Sequence, residues 1–183
     1  YVQLIGNGAV LHGTSPESQA IIVQADGVTI EGFTLTATTD RRRNTKESAR
    51  LVVYGATTKR GWISGTVFKH NKIIPGGDQN SSSSAGILIS RAEHFRIERN
   101  DIRRTLADGI HVTGGSRYGS VIGNTVSETG DDMIAVVSYM GKQWRNHQAQ
   151  NQAWVVDQAA LSQVRDVLIE DNVVSGQYWG RGI

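Results

Sequence analysis

Three carboxylates and one guanidinium fall at a recurring point of this sequence. Asp108 stands in "LADGIHV", Asp131 and Asp132 adjoin in "GDDMIAV", and Arg181 stands in "WGRGI". A single Asp before Gly is an ordinary turn residue, because a turn needs one acceptor. Two adjacent acids with a third nearby are different, since crowded like charges push at least one proton affinity up. That leaves one carboxyl protonated while another stays ionised, which is the condition for general acid–base chemistry. The same oxygens are also hard ligands for a cation such as Ca²⁺.

These groups act together only if the chain brings them together, and an internal repeat supplies the means. In "SAGILIS", "LADGIHVT", "GDDMIAVV" and "GRGI", Ile87, Ile110 and Ile134 recur at intervals of 23 and 24 residues, and Ile183 follows 49 later. The last interval is two periods long, so it holds either a full turn or a long insertion. A second column reads apolar–x–x–Asn–x–apolar: Phe68–Asn71–Ile73, Ile97–Asn100–Ile102, Val121–Asn124–Val126 and Ile169–Asn172–Val174. Ile30–Phe33–Leu35 keeps the register with Phe in place of Asn. Short segments alternating with period 2 and repeating in this way predict a parallel β-solenoid, one rung per coil. Asn suits its corner because it tolerates left-handed backbone and its amide can bond the next coil. "YVQLIGNGAVLHG" is expected to form one more coil, an irregular one.

In this phase Ala85, Asp108, Asp132 and Arg181 share one column at the start of successive strands, with Asp131 one residue earlier. Strict alternation from Ile110 and Ile134 points Asp108 and Asp132 inward. A surface site therefore requires the corner to break the alternation. His111 alternates outward beside the acids.

The repeat and its asparagine column resemble the right-handed parallel β-helix of pectate lyases and polygalacturonases, from about Ala20 onward. Polygalacturonases carry Asn-Thr-Asp, Asp-Asp, Gly-His-Gly and Arg-x-Lys motifs in that order. "LADGIHV", "GDDMIAV" and "WGRGI" follow the order, with Leu106-Ala107 in place of Asn-Thr and Arg181 in place of His. No counterpart of Arg-x-Lys appears up to Ile183, and other inverting β-helix glycosidases resemble the triad equally well. The resemblance implies an all-β, single-domain fold of about 23–24 residues per coil over residues 1–183. It implies a polysaccharide substrate, no cofactor or metal, and a secreted or cell-surface protein. It makes Asp108 and Asp132 general bases that activate water, and Asp131 the general acid in an inverting hydrolysis. His111, Arg181, Tyr139, Trp144 and Trp179 are expected to contact substrate, the aromatic rings by stacking on sugar faces.

Two rivals share the fold. In β-helix polysaccharide lyases and epimerases the acids bind Ca²⁺ and a basic residue, here Arg181, takes the proton. In an adhesive or carbohydrate-binding β-helix, such as part of a phage spike, the acids bind a cation or nothing. Fold alone does not separate the three.

The remaining features set bounds. With 21 Gly against 2 Pro, the composition favours many turns and short strands. The absence of Cys excludes disulfides and thiolate metal sites. Charge is nearly balanced at +2, and Arg41–Arg43 read as a solvated loop, so no nucleic-acid partner is expected. No apolar run reaches the roughly 18 residues of a membrane span. Two segments interrupt the period, 38–48 and the insertion 140–163, both expected as loops on one face. The start at Tyr1 and the end of "WGRGI" in mid-strand suggest part of a longer β-helix; oligomeric state is left open.

Overall fold

The computed structural model describes residues 1–15, 19–42, 49–55, 58–138, 163–176 and 179–183. Alternating short apolar segments wind into a right-handed parallel β-helix with three sheets. The first coil holds β1 (Val2–Ile5), β2 (Val10–Gly13) and β3 (Ile21–Val23), and the second β4 (Val28–Glu31), β5 (Thr34–Ala37) and β6 (Leu51–Tyr54). The third coil opens on the two-residue β7 (Ile63–Ser64) and continues with β8 (Val67–Lys69), β9 (Lys72–Pro75) and β10 (Ile87–Ser90). The fourth repeats that plan with β11 (Ala92–Glu93), β12 (Arg96–Glu98), β13 (Asp101–Arg103) and β14 (Ile110–Thr113). In the fifth, β15 (Arg117–Ile122) spans the whole edge before β16 (Thr125–Ser127) and β17 (Ile134–Val136). The sixth contributes β18 (Arg165–Glu170) and β19 (Val173–Ser175).

Among the described residues neighbouring strands pair in parallel, and the columns read from the sequence are in register. Ile30, Phe68, Ile97, Val121 and Ile169 stack in the first sheet. Leu35, Ile73, Ile102, Val126 and Val174 stack in the second, and Ile21, Leu51, Ile87, Ile110 and Ile134 in the third. The stacks meet in one apolar core. Ile183 extends the third column, because Ile134 N donates to Gly182 O at 3.2 Å. On the last coil it is 66% exposed rather than interior. The segment 1–13 is a regular coil, with β1 on β4 and β2 on β5.

The asparagines form the expected ladder. Nδ2 of Asn71 donates to Oδ1 of Asn100 at 3.1 Å, Asn100 to Asn124 at 3.0 Å, and Asn124 to Asn172 at 3.0 Å. Phe33 closes the row, its backbone N donating to Asn71 Oδ1 at 3.1 Å. The residue before each rung adopts left-handed backbone, as at His70, Arg99 and Asp171, which turns the chain sharply enough for the amides to face one another. Asn124 and Asn172 touch although 48 residues separate them. That interval is therefore one coil, not two.

Candidate active site

The acids sit where the second sheet hands over to the third. In the fourth and fifth coils this corner is tied by a hydroxyl three residues before each column acid. Thr105 Oγ1 donates to Ala107 O at 2.8 Å and Thr129 Oγ1 to Asp131 O at 2.6 Å. Ser82 holds the same place one coil earlier, bridged to Thr105. The repeats align this Ser–Thr–Thr column in the sequence, but hydroxyls are common in any turn and carry no distinguishing signal.

Here the corner breaks the alternation. A Cβ placed on Gly109 would lie 2.2 Å from Val126 Cγ1, in the core, so position 109 faces inward as Ile110 does. Gly86 faces Ile102 in the same way, and Met133, their equivalent on the fifth coil, is itself a core residue. Two consecutive inward positions leave the residue before them outside. Backbone bonds from Gly86 N to Asp108 O, Gly109 N to Asp132 O and Met133 N to Arg181 O confirm the column Ala85–Asp108–Asp132–Arg181.

One oxygen from each of Asp108, Asp131 and Asp132 lies within 4.8 Å of the others. The three environments differ. Asp108 is buried, and its Oδ2 accepts a hydrogen bond at 2.5 Å from Nδ1 of His111, also buried. Asp132 is half-buried, and its Oδ1 accepts the backbone N–H of Arg181 at 2.7 Å. Asp131 stands at the solvent edge, its Oδ2 accepting a hydrogen bond from Nη2 of Arg42 at 2.6 Å.

Two expectations change. His111 does point away from the core, but outward here is not into solvent: it is 7% exposed and bonded to Asp108. Its row is buried from Val52 through Leu88 and His111 to Ala135, and exposed at Ile22 on the first coil. Arg42 is not merely part of a solvated run. It crosses from the loop after β5 to the fifth coil, 89 residues away in sequence, and no local spacing signals such a contact.

Arg181 lies beside the acids through its backbone, and its residue is exposed. Trp179 is 79% exposed, two residues before it. Tyr139, Trp144 and nearly all of the 140–163 insertion lie outside the described residues, as does Tyr178. Among the described residues no helix is long and apolar enough to cross a membrane.

No family model matches the chain, and neither a curated protein nor a solved structure matches it.

Proposed function

We propose that the chain is a glycoside hydrolase acting on a polysaccharide, with Asp108, Asp131 and Asp132 as its acid–base groups and no required metal. The convergence of three carboxylates on neighbouring coils carries this reading. Each has a different partner, and unlike environments are what divide an acid from a base within a group of carboxylates. In the proposed reaction Asp131, whose pair with Arg42 is open to water, takes up a proton from solvent as that pair parts for substrate, and passes it to the leaving glycosidic oxygen. Asp108 and Asp132, stacked in one column, hold the attacking water and take its proton as its oxygen bonds the anomeric carbon. His111 fixes the Asp108 carboxylate through Nδ1. The cluster is tighter than the roughly 6.5–9.5 Å between the two carboxyls of most inverting glycosidases. The water is thus held against a pair of stacked acids rather than between two opposed ones.

A second reading is favoured by the same spacing. Three oxygens within 4.8 Å also suit a hard cation, which would make the chain a Ca²⁺-dependent lyase or epimerase with Arg181 as base. The Arg42 guanidinium on Asp131 weighs against it, because a cation already stands there.

A polysaccharide panel scored for new reducing ends and for absorbance near 235 nm, with and without chelator, separates these. Hydrolysis gives reducing ends that chelator leaves unchanged and no ultraviolet product. Unsaturated products that require Ca²⁺ overturn the hydrolase. Absence of turnover on every glycan leaves the adhesive β-helix.

A further inference from the structure

We infer that Arg42 is the resident counter-ion of the acid cluster, standing where a divalent cation would otherwise bind and so making the site metal-free. The inference deepens the hydrolase reading and rests on it for its catalytic meaning, but not for its test.

Among the described residues, Arg42 is the one permanently charged ion-pair partner of the three acids. Asp108 faces an imidazole and Asp132 a backbone N–H. Without Arg42, three carboxylates lie within 4.8 Å of one another with no paired Lys or Arg beside them among the described residues, the arrangement that oxygen-seeking divalent ions occupy. With Arg42 in place, an incoming divalent ion meets a guanidinium 2.6 Å from Asp131 Oδ2, and like charges at such range repel.

The approach of Arg42 is built into the fold. Thr39 and Asn80 exchange backbone hydrogen bonds at 3.2 and 2.9 Å, and Asn80 Nδ2 adds a third to Thr39 O at 3.0 Å. Arg41 N donates to Thr39 Oγ1 at 3.3 Å. The loop after β5 is thereby fastened to the third coil three residues before Arg42 turns onto the fifth. The side chains of Arg42 and Asp131 are 50% and 44% exposed, and an ion pair so open to water adds little to stability. Its consequence is therefore electrostatic, at the site, rather than a clasp that holds the loop down.

Calcium binding measured by calorimetry, with no substrate present, tests this on four proteins: wild type, Arg42→Gln, Arg42→Lys, and Arg42→Gln combined with Asp131→Asn. Arg42→Gln is expected to bind Ca²⁺ about tenfold tighter than wild type or more, since the site gains net negative charge. Arg42→Lys should stay with wild type, and adding Asp131→Asn should remove the gain. Equal affinity of wild type and Arg42→Gln, including no binding by either, overturns the inference. So does a gain that survives Asp131→Asn. Thermal unfolding confirms that each protein is folded, and Arg42→Ala replaces Arg42→Gln in the comparison if the latter is not. A failure of the hydrolase reading appears separately, as no turnover on glycans, and leaves the calorimetry unchanged.

Discussion

Asp108 and His111, three residues apart, meet on the same face of the chain, with Nδ1 of the imidazole 2.5 Å from the carboxylate. In an unbroken strand, residues i and i+3 lie on opposite faces. The contact exists because Gly109 and Ile110 both face the core, which returns Asp108 to the outside one step early.

That geometry makes Gly109 the hinge of the site. A methyl group there would press within 2.2 Å of Val126 Cγ1 and 2.6 Å of Met133 O. Gly109→Ala is expected to destabilise by about 1–3 kcal/mol or more, as overpacking does. Gly77, whose Cβ would meet only Thr38 Oγ1 at 4.0 Å, is the control. Gly77→Ala should be neutral or stabilise by about 0.4–1 kcal/mol through the unfolded chain. Denaturant midpoints measure both, and equal effects would contradict the packing at the corner.

The ladder gives a second expectation. Asn100 accepts from Asn71 N at 3.0 Å and Asn71 Nδ2 at 3.1 Å, and donates to Phe68 O at 3.0 Å and to Asn124. Asn100→Ala strips partners from several buried groups at once, which should cost about 3 kcal/mol or more. A loss below about 1 kcal/mol in urea unfolding would mean that water replaces the amide without strain.

The acids themselves should separate by stability. Asp108→Ala removes the buried acceptor for His111 and should cost about 2–4 kcal/mol. Asp131→Ala breaks, among the described residues, the open pair with Arg42 and should change stability by about 1 kcal/mol or less. Unfolding of the two variants at neutral pH tests the ranking.

The fold was legible because its information is periodic. Ile110 and Asn100 each have counterparts one coil away, so a phase error at one position would have broken all the columns together. The site was legible only in part. That Asp108, Asp131 and Asp132 converge follows from the same columns, but their outward direction depends on Gly109 facing inward, and glycine carries no hydropathy signal. Met133, at the same position one coil on, read simply as the first residue of an apolar strand. Arg42 was illegible for another reason. Its partner lies on the fifth coil, and only three-dimensional stacking brings the loop after β5 against it. The burial of His111 likewise comes from packing outside its own strand.

The prediction closest to function concerns Asp131. An amide is nearly isosteric with the carboxylate and can still accept from Arg42, but it has no acidic proton to give a leaving oxygen. On a polysaccharide that wild type cleaves, Asp131→Asn should lower kcat by about 10²–10⁴-fold, the usual contribution of a positioned general acid. KM should change little, because the loss falls on the transition state rather than on substrate binding. Chelator should leave wild type and variant alike unaffected. Unfolding should be that of wild type, which keeps a folding defect from passing for a catalytic one. An activated leaving group, such as a nitrophenol, needs less protonation and should restore much of the lost rate. Rescue by such a leaving group identifies Asp131 as the proton donor. Loss of rate that is equal for activated and natural leaving groups would instead move the donor's role to Asp132, the adjacent acid of the cluster.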